Sequence, residues 1–185
     1  MIRGRSQLRS RNYGSLLAEA YNLSEDFITV MSPLFGTNTR DTPDISFEEI
    51  SNAGEADAKR NKIAISIDYL SGKMDLEDFK FTVAHENAHC LDPMLIDGIS
   101  DPVDDKERDE TVANLGALVY FARTINKDYA DNHARVRTVC SKGVPLAGHT
   151  ASKLFLSGRT LPELENILKQ MSRSKGSEYL GLRAA

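Results

Sequence analysis

The stretch from Leu76 to Leu91 constrains this chain more than any other. Phe79, Phe81, Val83, Ala84, Ala88 and Leu91 fall at helical spacing behind Asp75, a residue suited to capping a helix start. Within it the chain reads His85-Glu86-Asn87-Ala88-His89. On a helix, residues four apart share one face a turn apart, so both imidazoles can reach a single cation. Neutral imidazole nitrogen suits Zn²⁺, and one zinc per chain is the expected cofactor. Glu86 lies about 100° round the helix from its neighbour His85. From there its carboxylate could take a proton from a metal-bound water, as a general base.

A further donor has to come from another element, and Glu107 to Ala117 supplies one. Glu110, Ala113, Asn114 and Ala117 share a helix face. Small residues there would let this helix lie close to the histidine helix, with a first-turn carboxylate near the ion. Glu107 competes with Glu110 as ligand, or is simply an acid favouring the helix dipole. Asp92 is another candidate ligand, or an acceptor for a histidine N–H, or a helix-ending residue.

His85-Glu86-x-x-His89, a loop of about twenty residues, then Glu110-x-x-Ala113-Asn114-x-x-Ala117 resembles the gluzincin metallopeptidases. Within them it is most similar to the ImmA/IrrE-type minimal metallopeptidases of bacteria and mobile elements, over roughly Lys62 to Ala122. The resemblance implies His85, His89 and Glu110 as zinc ligands and Glu86 as the catalytic base. It implies a zinc metalloendopeptidase that cuts a protein or peptide substrate with a metal-activated water. The alternative is a non-catalytic zinc-binding interaction protein of zincin fold, of the kind a phage or other mobile element encodes. Oxyanion stabilisation would fall to zinc, with His133, His149, Tyr120 and Tyr129 as possible helpers.

The rest of the sequence frames this reading. At 185 residues the chain suits one domain with a real core. The expected fold class is α+β, predominantly helical: zincin-like, with a small sheet and an HExxH active-site helix. Residues 1–13 read as a basic arm, 14–175 as a single zincin-like metallopeptidase domain and 176–185 as a tail. Arg3, Arg5, Arg9 and Arg11 could touch phosphates, but a net charge of −4 argues against a nucleic-acid-binding surface. No apolar run suits a signal peptide or a membrane span, which makes the expected protein cytoplasmic. Cys90 and Cys140 are too few for a disulfide framework, and Cys90 reads as a packing residue.

Helices are expected over Ser15–Val30, Leu76–Leu91, Glu107–Ile125, Tyr129–Val139 and Thr150–Leu156, with a last one starting at Thr160. Ile63, Ile65 and Ile67 mark a strand between Lys62 and Leu70, and Ile45–Ile50 is ambiguous. Ser32-Pro33 and Gly36 to Pro43 read as loop. Asp92 to Asp105 reads as a second, acidic loop. It could hold Ca²⁺, but without EF-hand spacing a solvated charged loop is the better reading.

Overall fold

The computed structural model describes residues 12–37, 40–101, 105–139 and 146–175. Helix α1 spans Tyr13–Phe35, started by Asn12, whose side chain accepts from the Gly14 N–H at 2.9 Å. It overruns the expected end and passes through Pro33, because Met31, Ser32 and Phe35 beyond it are buried in the core. Packing thus outweighs the hydrogen bond that proline removes. Gly36 stops the helix in a left-handed conformation, φ 68°, with its N–H on the Ser32 carbonyl at 3.0 Å.

A three-stranded sheet follows, built from β1 (Asp44–Glu48), β2 (Gly54–Asp57) and β3 (Lys62–Ser66) in the order β1-β3-β2. β1 runs parallel to β3 with Ile45 opposite Ile63, and β2 runs antiparallel with Ala56 opposite Ile63. Ile63 and Ile65 are buried as their alternation predicts. Ile67 does not extend the strand but opens a 3-10 turn, Ile67–Tyr69, and stays partly exposed. The ambiguous Ile45 segment is therefore a strand, while β2 carries no strand signal in its sequence.

Five longer helices and one short one follow among the described residues. α2 is Leu76–Leu91, started by Asp75, which accepts from the Glu77 N–H at 3.1 Å. α3 (Pro93–Ile96) occupies part of the expected loop, and α4 is Lys106–Thr124. α5 (Lys127–Val139), α6 (Leu146–Phe155) and α7 (Leu161–Met171) follow. At the start of α7, the Thr160 N–H and hydroxyl both donate to Glu163, at 2.7 and 2.8 Å.

Helix α2 stands between two cores. Phe81, Ala84, Ala88 and Leu91 pack with α1, α4, α6 and α7 residues such as Phe35, Phe121, Phe155 and Leu168. Phe79, Val83 and Cys90 pack instead with Ile45, Ile63, Ile65 and Tyr69 on the sheet side. Where α4 crosses α2 the approach is close. A Cβ on Gly116 would lie 3.1 Å from the Ala88 Cβ and 3.2 Å from the Phe35 ring. This close contact is made at Gly116, next to the Ala113 and Ala117 positions whose spacing marked the face.

The fold class expected from the sequence needs correcting. The chain is predominantly helical with one small sheet. Its zincin-like label, with α2 as a dedicated active-site helix, does not hold. α2 is first a buried core helix, with ten of its sixteen residues buried. The metal-type cluster it shares takes its third donor from α4, as expected, but does not include Glu86.

The C-terminal tail, residues 176–185, lies outside the described residues, as do 1–11 of the basic arm. Asn12 and Tyr13, assigned to that arm, instead cap and begin α1. Among the described residues, no helix is long and apolar enough to cross a membrane.

Candidate metal centre

His85 and His89 lie one turn apart on α2, and Glu110 reaches them from the first turns of α4. His85 Nε2 stands 3.2 Å from His89 Nε2 and 3.3 Å from Glu110 Oε2; His89 Nε2 is 3.8 Å from Glu110 Oε1. All three potential ligand atoms lie within 4.8 Å of one another. A tetrahedral zinc with bonds of about 2.0–2.1 Å has donor–donor edges of about 3.3–3.4 Å. The His85–His89 and His85–Glu110 Oε2 distances match that spacing, while the 3.8 Å contact of His89 is made by the other carboxylate oxygen, and the donor set fits a metal.

The electrostatics favour the same occupant. Burial drives the His89 pKa down to about 3, helped by His85 and Arg108 and opposed by Glu110. His89 is therefore neutral near pH 7, the form that binds a metal. The Glu110 carboxyl falls to about 2, chiefly through its hydrogen bond with His85 and against the cost of burial. It is an anion ready to balance a cation. His85 Nδ1 is buried with no hydrogen-bond partner among the described residues, so no protein acceptor steadies the outer side of that ring.

Glu86 is placed differently. It is 6% exposed and packed against β2: a Cβ on Gly54 would sit 2.9 Å from its Cγ and Oε1. Burial raises its pKa to about 7, with His85 pulling it down and Glu110 and Glu55 pushing it up. It lines the same cavity of about 1110 Å³ as the cluster, beside Gly54, Glu55, Lys106 and Asn114. Its oxygens are not part of the converging set. A smaller groove of about 560 Å³, between α1, α2 and α4, contains none of the three donors.

The remaining candidates part from the cluster. Asp92 is no ligand: it ends α2, starts α3 by accepting from the Met94 N–H at 3.0 Å, and pairs with Arg108. Glu107 is outside the converging group and keeps its place in the first turn of α4. The Tyr120 hydroxyl donates to Asp26 at 2.6 Å and the Tyr129 hydroxyl to Glu77. His133 stacks on Phe81 and Phe121. Neither these three nor His149 lines the cavity. Cys90 is buried, with its thiol pushed up to about 12 mainly by burial, an inert packing residue. Cys140 lies outside the described residues.

Sequence reasoning missed two residues. Asn87, fully buried, donates from Nδ2 to Ser24 Oγ at 2.7 Å and to the Val83 carbonyl at 2.8 Å, tying α2 to α1. Arg108 carries no signal in the sequence that would set it apart from a surface cation. It is instead 1% exposed and bonded to Asp92 and Asp109.

No protein-family model, no curated protein and no solved structure matches this chain. The identification with the gluzincin metallopeptidases, and with the ImmA/IrrE type among them, therefore does not stand. The zinc metalloendopeptidase reading, with its catalytic Glu86, falls with it. The spacing from His85 to His89 is in the sequence, but a spacing is not a reaction. What the structure brings together is two imidazoles and a distant carboxylate, an arrangement that can hold a metal. It does not join Glu86 to them, and no peptide substrate is indicated.

Proposed function

We propose that this chain is a metal-binding protein that holds one zinc ion through His85, His89 and Glu110, without cutting a substrate. The convergence of those three side chains is the observation that carries the reading. Zinc is favoured over harder cations because two of three donors are imidazole nitrogens, whereas Mg²⁺ and Ca²⁺ prefer oxygen. Three donors leave room for one more, and the cavity beside them is large enough for a group from a partner to supply it. The bound ion would also join α2 to α4 and stabilise their packing.

Metal analysis of the purified protein, beside His85→Ala and Glu110→Ala variants, tests this. About one zinc per wild-type chain is expected, with little in either variant. A wild-type chain that takes up no zinc at micromolar supply overturns the reading. Glu86→Gln is expected to keep its zinc, since Glu86 is no member of the cluster.

A further inference from the structure

Close to the metal-type cluster, the end of α2 and the start of α4 are tied a second time, through a buried guanidinium. Arg108 is 1% exposed and Asp92 is fully buried. Arg108 donates five hydrogen bonds, one for each N–H it carries. Nη1 gives one to Asp92 Oδ2 and one to Asp109 Oδ1, the latter at 2.8 Å. Nη2 gives one to Asp92 Oδ1 at 3.1 Å and one to the Met171 carbonyl at 2.9 Å. Nε gives a second to that carbonyl at 3.2 Å.

These partners are helix ends. Asp92 follows α2, three residues beyond His89, and its N–H returns to the His89 carbonyl at 3.2 Å. Arg108 lies in the first turn of α4, two residues before Glu110. Met171 is the last residue of α7, where the helix dipole favours a cation. Asp109 is braced in turn by the Ser100 hydroxyl at 2.6 Å. One planar group thus holds the end of the histidine helix, the start of the glutamate helix and the end of α7.

We propose that Arg108 is the positioning residue of the metal cluster: it sets His85 and His89 against Glu110 and ties that spacing to the C-terminal end of α7. This rests on the zinc reading above. A bound ion would join α2 to α4 within three residues of the place where the guanidinium already ties their ends together, so whatever fixes one bridge helps fix the other. Zinc binding and the ordering of the last turn of α7 are then coupled, each favouring the other by the same factor. Lysine is no substitute, because a single ammonium offers three donors from one point and cannot span Asp92, Asp109 and Met171 together.

The experiment uses full-length, metal-stripped protein with zinc alone as the probe. Hydrogen exchange of the 168–174 amides is followed with and without zinc, and zinc affinity is measured against a chromophoric chelator. In the wild type, zinc slows exchange at those amides by about fivefold or more. Arg108→Lys still takes up one zinc but holds it about tenfold more weakly. It also loses the zinc-dependent protection of α7. Three results overturn the proposal: wild-type zinc affinity in Arg108→Lys, unchanged zinc protection of its α7, or a wild-type α7 indifferent to zinc while α2 and α4 are protected. Should Arg108→Lys not fold, the wild-type exchange comparison decides alone. A wild-type chain that binds no zinc removes the metal reading itself, and the chelator titration shows this separately.

Discussion

Helices α2 and α4 bring charged and polar groups together at two places, and the two places are built on opposite rules. Around Arg108 every donor has its acceptor, two carboxylates and a carbonyl, and the group is closed to solvent. Around His85 and His89, two ring nitrogens face each other at 3.2 Å beside a carboxylate and open onto a cavity. Both imidazoles cannot accept from one another, and His89 resists a proton. Two imidazoles and a carboxylate converging on a cavity form a donor set that a cation can take over. A network that satisfies itself holds a fold together, whereas one that does not is where a fold can bind something.

The largest test of that contrast is Arg108→Met. It leaves Asp92 buried without its partner, and we expect about 3–5 kcal/mol of lost stability by urea unfolding. A loss below 1 kcal/mol would place the two sites on an equal footing. Glu110→Gln comes next. It is expected to weaken zinc about a hundredfold, equivalent to roughly 2.7 kcal/mol, and also to lower metal-free stability at neutral pH, since the fold holds the Glu110 carboxyl well below its usual range. Calorimetric titration checks the first part, and unfolding in chelator the second.

Acid–base linkage gives a third test, in metal-free protein. Glu86 has its folded pKa raised from 4.5 to about 7, so the fold holds its proton where the unfolded chain releases it. The stability this contributes is complete below about pH 4.5 and is lost as pH rises through about 7. His89 acts oppositely: its folded pKa is depressed, so its share is present above pH 6.5 and is lost as pH falls toward 3. Only the difference between wild type and Glu86→Gln isolates the glutamate. Between pH 5 and pH 8, wild type is expected to lose stability relative to the variant by roughly 2 kcal/mol. A pH-independent difference would show that the carboxyl is not desolvated. Asn87→Ala is the smallest effect. Loss of its bond to Ser24 is expected to lower stability by about 1 kcal/mol and to leave zinc stoichiometry at one.

The cluster was legible because its signals are local. Two histidines four apart reveal their shared face in any helix, and the bounds of α2 followed from Asp75 and its apolar spacing. Glu110 was legible because Ala113, Asn114 and Ala117 mark the face on which small residues let α4 approach. The buried acid–arginine group was not legible. In sequence, Arg108 and Asp109 are unremarkable members of a charged stretch, Asp92 stands out only as a ligand candidate or helix end, and only the return of α7 to Met171 encloses them. β2 was missed because Gly54-Glu55-Ala56-Asp57 has neither alternation nor β-branched residues and exists by pairing with β3. Pro33 misled because local propensity favours a break where the burial of Phe35 enforces a helix. The peptidase identity was an inference from motif residues, their spacing and the family they resemble. Spacing specifies which side chains share a face, and it leaves open whether Glu86 joins them.

Helix α2 gives its two sides to different neighbours, Phe81 and Leu91 to the helical core, Phe79 and Val83 to the sheet core. Both cores lose packing partners if this central rod departs. Heating should therefore produce one sharp calorimetric peak rather than two. An ion clasped at a single point on that rod would move the whole peak upward.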